Sequence, residues 1–119
     1  MMMVARVRCV VAGVFVGVGL YFAGATAGFA ADSPQGLAVA KANACMGCHA
    51  VDRKLVGPSF LQIAGKYKGD PQASLKLSKK VRDGGSGVWG AIPMPSHPAM
   101  SDADIRTVVD WVLAGAPSK

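Results

Sequence analysis

An amphipathic helix is predicted near the C-terminus, because apolar residues recur there every three or four positions. The residues that share its apolar face are Ile105, Val108, Val109 and Val112. Ser101 precedes the run as an N-cap, and Asp104, three residues later, completes the pattern of a capping box. Trp111 falls at the edge of the apolar face. This helix should begin at Ser101 and pack one side against the rest of the domain.

Two further helices are predicted upstream from their start signals. The first should begin at Ser33 as N-cap, with Pro34 at the first helical position, and run through the Ala-rich stretch QGLAVAKANAC into a cysteine motif. Its small residues would let another helix approach closely. The next should begin where Asp70 caps and Pro71 leads, and end at the sequence DGGSG. Its apolar face consists of Ala73, Leu77 and Val81.

The segments between these helices are rich in Gly and Pro. Residues 60–66 should form one more short helix in the first connection, whereas the stretch GGSGVWGAIPMPSHPAM in the second favours no regular element. No alternation of apolar and polar residues is long enough for a sheet, so the fold class is all-α. Short helices bury little apolar surface, and an irregular stretch of this length is either flexible or fixed by something that it surrounds. A cofactor at the centre would explain both features.

The first thirty residues have the pattern of an export signal. Arg6 and Arg8 are followed by a long stretch that is apolar and uncharged. The sequence AGFA, which ends at Ala30, has small residues where a signal peptidase requires them, so we predict cleavage directly after Ala30. Residues 1–30 would then be removed, and residues 31–119 would form a single domain.

An uncleaved membrane anchor is the alternative for this segment, since the uncharged run at 9–31 is long enough to cross a bilayer. Its many Gly and Ala residues favour cleavage instead. Removal would take Cys9 away and leave 11 basic and 7 acidic residues, a net charge of +4. A moderately basic surface of this kind is either solvated or a docking surface, and export argues against nucleic acid as a partner.

The motif CMGCHA at 45–50 carries the chemistry, and four interpretations compete for it. A thioredoxin-like dithiol needs a preceding strand, whereas Ala-rich helix precedes Cys45. Zinc needs four ligands, and with His49 adjacent to Cys48 a tetrahedral site would be strained. A disulfide would close a very short loop and leave His49 without a role. Haem attachment uses every member, because the thiols bind the two vinyl groups and His49 binds the iron.

The second axial position of the iron decides between an electron carrier and a haem that binds a substrate. The candidates are Met94, His97 and Met100, or no residue at all. Met94 lies between two prolines, which favour an extended segment suited to crossing one face of the haem, and thioether sulfur suits low-spin iron. Met100 precedes the N-cap Ser101 and should pack onto the helix start. His97 is expected to be an exposed loop residue.

The chain resembles a known family, the small class I cytochromes c of the cytochrome c-551 type, also called cytochrome c8. The stretches that carry the likeness are CMGCHAVDRKLVGPSF, LKLSKKVRDGGSGVWGAIPMP and MSDADIRTVVDWVLAG, and the likeness covers nearly all of the exported part. The resemblance implies three to four helices around one covalent haem c, attached through Cys45 and Cys48. It also implies that His49 and Met94 are the axial ligands.

The resemblance further implies roles for residues outside the motif. The Pro58 carbonyl would accept a hydrogen bond from the proximal histidine, and the Trp89 indole would donate one to a haem propionate. Lys80 stands where the family usually has a basic residue near a propionate. The family tends to have an aromatic residue where this chain has Ala40, so we expect a looser contact between the first and last helices near Trp111.

The expected function is electron transfer in the periplasm between redox proteins such as a membrane cytochrome complex, a terminal oxidase, nitrite reductase or peroxidase. Five apolar side chains should shield the haem and help to raise its reduction potential: Val56, Ile63, Leu77, Val81 and Ile92. Lysines such as Lys54 and Lys79 would steer docking to acidic partners. The alternatives are a sensor or enzyme haem with a labile sixth ligand, and a haem-free interaction module. We expect a monomeric carrier and not an enzyme.

Overall fold

Residues 33–118 are described by a computed structural model, and within this range the chain folds into four α-helices. Their bounds are α1 Ser33–Ala42, α2 Phe60–Lys66, α3 Ala73–Asp83 and α4 Asp102–Leu113, with a 3₁₀ turn at Cys45–Gly47. Extended backbone in this range pairs only at two isolated bridges, so the all-α prediction is confirmed. None of the helices between residues 33 and 118 is long and apolar enough to cross a bilayer. The predicted export signal at 1–30 lies outside the described residues.

Two helix boundaries differ from the predictions because turns occupy the expected helix ends. α1 ends at Ala42 and does not reach the cysteine motif, since Ala44 adopts a left-handed conformation with a φ of 58°. α3 begins at Ala73, three residues later than Asp70. The Asp70 carboxylate accepts a hydrogen bond from the Gln72 N–H at 2.8 Å, so it closes the turn before the helix. The predicted end of α3 at the DGGSG sequence is confirmed.

Serine hydroxyls define the starts of α2 and α4. Ser101 Oγ accepts a hydrogen bond from the Asp104 N–H at 3.0 Å, so the predicted N-cap of α4 is confirmed, but the return bond from the Ser101 N–H to the Asp104 carboxylate that a capping box requires is not formed. A complete capping box, which was not predicted, is found at α2: Ser59 Oγ accepts from the Gln62 N–H, and the Gln62 side chain accepts from the Ser59 N–H. These bonds satisfy N–H groups that a helix start leaves unpaired. They fix the direction in which each helix leaves the loop before it.

α4 is the central helix of the core and packs against α1, α2 and α3. Trp111, predicted at the edge of the apolar face, is only 1% exposed, because α1 packs against that edge of the helix. A Cβ atom at Gly36 would overlap Trp111 Cβ, which shows how closely α1 approaches α4. Ala40 is fully buried, and the looser contact expected there is not found, because the indole lies directly over the small residues of α1. The indole N–H also donates to the Pro117 carbonyl at 2.9 Å.

Candidate functional site

The cysteine motif forms a tight turn that carries three chemical groups on one short segment. Residues 45–47 make a single 3₁₀ turn, and the His49 N–H donates to the Cys45 carbonyl at 3.0 Å. Cys45 and Cys48 are both free thiols and both half-buried. Burial raises the pKa of the Cys45 thiol, which disfavours the reactive thiolate that a redox dithiol requires. The motif therefore presents two thiols and an imidazole from five consecutive residues.

The loop after the motif folds back over it and is held by backbone hydrogen bonds. The Gly57 N–H donates to the Cys48 carbonyl at 2.8 Å, and the Phe60 N–H donates to the Ala50 carbonyl at 2.9 Å. These bonds hold the returning chain directly beside the motif. The start of α2 is thereby placed next to the imidazole.

The His49 ring is held in one orientation by its neighbours. Its Nδ1 atom lies 2.7 Å from the Pro58 carbonyl oxygen, and a carbonyl can only accept, so Nδ1 carries the hydrogen and Nε2 keeps its lone pair. A Cβ at Gly57 would lie 2.6 Å from His49 Cε1, so the close approach of backbone to ring requires glycine. The imidazole also stacks on Phe60 at 5.3 Å, and Phe60 meets Trp111 edge-on at 5.1 Å. An imidazole fixed in this way is oriented to bind a metal through Nε2.

Met94 is fixed by backbone pairing with the turn that follows α3. The Gly85 N–H donates to the Met94 carbonyl at 2.9 Å, and the Met94 N–H donates to the Gly85 carbonyl at 3.0 Å. Gly84 lies against the same segment with a φ of 70°, and a Cβ there would overlap the Met94 carbonyl. Met94 itself is half-buried. Two backbone hydrogen bonds at Met94 thus fix the proline-flanked segment to the turn that follows α3.

The two other candidates for the second axial position have different surroundings. Met100 is 7% exposed and belongs to the hydrophobic core, so its thioether is a packing group, as predicted. His97 is half-buried, and the prediction of an exposed loop residue is wrong. Its N–H donates to the Val81 carbonyl at 3.1 Å, which draws it onto the end of α3. Both residues fix the path of the chain between Met94 and α4.

Arg82 makes a set of contacts that sequence reasoning missed. Its guanidinium reaches backbone carbonyls in the segment after Met94 and the Asp102 carboxylate at the start of α4. In the sequence it is one of four basic residues on α3, and no local pattern separates it from the other three. Only the packing of α3 against α4 reveals which of the four is directed inwards.

The two residues predicted to contact the propionates, Lys80 and Trp89, have different neighbours. Lys80 Nζ donates to the Gly84 carbonyl at 3.3 Å, so its ammonium lies beside the turn that holds Met94. Trp89 is 41% exposed, and the Lys66 ammonium lies 5.4 Å from the centroid of its ring. The Lys80 ammonium therefore lies beside the turn that holds Met94, and the Lys66 ammonium lies beside the Trp89 indole. Positive charge at both places suits an anionic ligand group.

The five residues predicted to shield a haem fall into two groups. The members that are buried or half-buried in protein are Ile63, Leu77 and Val81. Val56 is 52% exposed and Ile92 is 68% exposed. The other large exposed apolar side chains between residues 33 and 118 are Leu55, Leu61, Leu75, Val88 and Trp89. Most of these exposed residues, Val56 and Ile92 included, lie in the loops that carry His49 and Met94. Exposed apolar surface of this kind marks a binding site.

The donor set at this site fits haem c. Within the described part of the chain, no three His, Cys, Asp or Glu side chains gather closely enough to hold a metal ion, which argues against the zinc interpretation. Two thiols at this spacing, an oriented imidazole and a thioether are the groups with which proteins attach haem c and ligate its iron. The apolar side chains in the same loops suit the faces of a porphyrin.

Comparison with known sequences gives matches over most of the described range. A family model described as cytochrome c matches residues 34–116. The chain is 47% identical over 75 residues to cytochrome c-552 of Nitrosomonas europaea, which covers 63% of this chain and 73% of the relative. It is 48% identical over 73 residues to cytochrome c-551 of Azotobacter vinelandii, which covers 61% of this chain and 88% of the relative.

The solved structures that match this chain are also cytochromes. The crystal structure of wild-type Nitrosomonas europaea cytochrome c552 matches with a TM-score of 0.64 at 44% identity, over 66% of this chain and 98% of that one. The class 1 cytochrome MtoD from Sideroxydans lithotrophicus matches with a TM-score of 0.63 at 29% identity, over 72% and 98% respectively. The similarity extends over nearly the whole length of each solved chain.

Proposed function

The chain belongs to the cytochrome c family, as a small class I member of the c-551 type, and we propose that it carries single electrons in the periplasm with His49 and Met94 as axial iron ligands. The family holds haem c covalently, and this chain has one CxxCH motif, so it binds one haem through Cys45 and Cys48. Its relatives are cytochromes c-551 and c-552, which are electron carriers and not enzymes.

His49 supplies the proximal ligand in this proposal. Its Nδ1 hydrogen is directed to the Pro58 carbonyl at 2.7 Å, which leaves Nε2 as the atom available to iron. A carbonyl partner raises the basicity of the imidazole and fixes its plane, and both effects strengthen its bond to a metal. Gly57 permits this contact, because its missing side chain leaves room for the ring.

The pairing of Met94 with Gly85 is the observation that carries the choice of distal ligand. Neither of the prolines that flank Met94 can donate a backbone hydrogen bond, so the two bonds to Gly85 hold the extended segment in place. Met100, its competitor, buries its thioether in the core. A ligand on a backbone held in this way stays bound in both oxidation states. Ligands that do not move keep the reorganisation during electron transfer small.

The remaining residues of the proposed site set the surroundings of the cofactor. When bound, haem c supplies the one-electron couple of its iron. Val56 and Ile92 are proposed to cover its faces from the loops, and burial together with thioether ligation raises the reduction potential. Trp89 and Lys80 are proposed to bind the propionates, the indole through its N–H group and the ammonium through its charge.

The compartment and the partners are proposed from the N-terminal segment and the charge. Residues 1–30 have the pattern of an export signal, and covalent haem attachment in bacteria takes place outside the cytoplasmic membrane. The net charge of +4 that remains after removal of residues 1–30 favours acidic docking surfaces on a membrane cytochrome complex, a terminal oxidase, nitrite reductase or a peroxidase. Lys54 is exposed and available for such contacts, whereas Lys79 is engaged in an ion pair with Asp83 at 2.6 Å.

The optical spectrum of the oxidised protein tests the ligand assignment. Methionine ligation gives a weak near-infrared sulfur-to-iron charge-transfer band, which Met94→Ala should abolish. Met100→Leu is a volume-conserving change in the core and should retain the band. A wild-type protein that lacks the band in neutral solution, and binds carbon monoxide readily when reduced, would have the labile sixth ligand of a sensor or enzyme haem.

Fractionation of cells that express the full chain tests the compartment. Protein that stains for covalent haem should be recovered from the periplasm with Ala31 at its N-terminus. Recovery from the membrane fraction with residues 1–30 still attached would favour the uncleaved anchor. A colourless protein would contradict the haem assignment and favour an interaction module.

A further inference from the structure

Arg82 binds the segment that leads from the distal methionine to α4 at several points. Its Nη1 atom donates to three backbone carbonyls, at 3.3 Å to His97, 2.9 Å to Pro98 and 2.6 Å to Met100. Its Nη2 atom donates to Asp102 Oδ1 at 2.5 Å. Four acceptors within six consecutive residues therefore converge on one guanidinium, on a side chain that is 29% exposed.

A guanidinium suits this arrangement because it is a planar, permanently charged group with five N–H donors. The two hydrogens of Nη1 are shared among three carbonyls, and the contact to His97 is the longest of the three. Hydrogen bonds from a charged donor are stronger than those between neutral groups. Pro98 lacks an N–H, so the segment cannot be ordered by regular backbone pairing at that residue. A lysine ammonium would supply the charge but not the planar set of N–H donors.

The chain is held against the end of α3 by hydrogen bonds at Met94 and at the residues that follow it. At Met94 itself the tie is the pair of backbone bonds to Gly85. Three residues later, the His97 N–H donates to the Val81 carbonyl at 3.1 Å. Arg82 holds the residues that follow, up to the first turn of α4. The path of the distal segment is therefore set by hydrogen bonds from three residues at the end of α3 and just after it, Val81, Arg82 and Gly85.

We propose that Arg82 is a positioning residue for the distal ligand, a role that rests on the proposed ligation by Met94. The guanidinium holds the segment after Met94 so that the thioether stays bound to iron. Without it, that segment keeps only the backbone bonds near the ligand, and the methionine leaves the iron more often. The proximal half of the site should be unaffected.

A purely structural role for Arg82 makes a different prediction. The ion pair with Asp102 lies at the first turn of α4, and Arg82 would then matter only for the stability of that helix start. The Asp102 side chain is 93% exposed, and an exposed pair of this kind contributes little. The carbonyl contacts, in contrast, lie between the ligand and the helix. Loss of stability and loss of hold on the ligand can thus be separated by variants.

The rate at which the thioether leaves oxidised iron measures the proposed role. Imidazole replaces the distal methionine, and at high imidazole concentration the replacement rate is limited by methionine release. Stopped-flow mixing of the haem-loaded protein with imidazole should give a limiting rate on the order of tenfold higher for Arg82→Met, the effect expected when one of its charge-assisted hydrogen bonds bears on methionine release. Arg82→Lys should show a rise of roughly threefold, and it carries the test if Arg82→Met does not accumulate.

Two control variants separate positioning from stability. Asp102→Asn removes only the ion pair, and Val112→Ala truncates a core side chain in the last turn of α4, so both should keep the wild-type limiting rate. An unchanged rate in both Arg82 variants, or an equal rise in Val112→Ala, would overturn the proposal. Failure of Met94 ligation itself is visible separately, as a missing sulfur-to-iron band in the wild-type protein before imidazole is added, and the role of Arg82 then falls with it.

Discussion

Gly57→Ala tests whether the proximal imidazole is positioned by a close backbone contact. A Cβ at this position would lie 2.6 Å from His49 Cε1 and 3.0 Å from Nδ1. The optimal separation of non-bonded carbon atoms is about 3.5–4.0 Å, so the imidazole ring must move by about 1 Å. A shift of this size stretches the 2.7 Å hydrogen bond to the Pro58 carbonyl towards the limit of hydrogen-bond geometry.

The expected magnitude follows from what such a bond does for a metal ligand. Loss of the hydrogen-bond partner of a ligating histidine typically weakens metal binding by about 10–100-fold, which corresponds to about 1.4–2.7 kcal/mol. If folding and ligation are coupled, the free energy of unfolding of the haem-loaded protein falls by that amount. With a denaturant slope of about 3 kcal/mol per M guanidinium, the midpoint should fall by about 0.5–0.9 M.

The assay is guanidinium unfolding of the oxidised, haem-loaded protein, followed in parallel by the Soret band and far-ultraviolet circular dichroism. The matched control is Gly47→Ala, because this glycine lies within the cysteine motif but a Cβ there meets no protein atom within 4 Å. The control should change the unfolding free energy by no more than about 0.5 kcal/mol. Equal midpoints for the two alanine variants would refute the reasoning.

Helix packing and acid stability give two further predictions. Gly36→Ala should lower the unfolding free energy by about 1–3 kcal/mol, because the new Cβ overlaps Trp111 Cβ, whereas Gly65→Ala in open space should raise it by up to about 1 kcal/mol; similar gains in thermal stability at both positions would contradict the close approach of α1 to α4. A hydrogen bond from Lys76 holds the pKa of Asp70 below its usual value, so this contribution to stability is present above the ordinary pKa of about 3.9 and is lost as pH falls through the folded-state pKa. Unfolding curves collected from pH 5 down to pH 2 should therefore show a shallower acid loss for Lys76→Met, and an acid limb identical to wild type would show that the bond contributes nothing.

The helix starts that were predicted well include those at which a serine hydroxyl bonds within the first turn, whereas the start signal at Asp70 misplaced α3 because its carboxylate closes the turn before the helix. α2 and α4 follow serines whose hydroxyls bond within the first turn, so a few residues suffice to locate each start. α1 was predicted too long, because Ala favours helix whereas its end depends on the left-handed Ala44 at the turn into the motif. Periodicity places Trp111 at the edge of its helix face but cannot show that this edge is buried, because the burial depends on Gly36 of another helix leaving room for the indole.

The residues of the candidate site also differ in whether the sequence alone predicts their roles. The two cysteines and His49 are neighbours in the sequence, so their chemistry could be predicted from spacing. The choice of Met94 over Met100 gains physical support only from tertiary structure, which buries Met100 in the core. Arg82 was missed because its acceptors lie 15 to 20 residues further along the chain and come together only when α3 packs on α4. Sequence patterns predict hydrogen bonds between neighbouring residues, whereas contacts between distant segments become known only from the tertiary structure.

The row of rings from His49 through Phe60 to Trp111 has a consequence for the order in which the molecule opens. Because Trp111 is buried in the helix core, His49 cannot move far without disturbing α4, and its release is an event close to global unfolding. Met94 is held by hydrogen bonds from the end of α3, which can break while every helix stays intact. Opening free energies within one protein range from near zero in loops to the full unfolding value in the core. With His49 and Met94 as the proposed ligands, small molecules that reach the iron should therefore enter from the methionine side, during brief local openings that leave the rest of the protein folded.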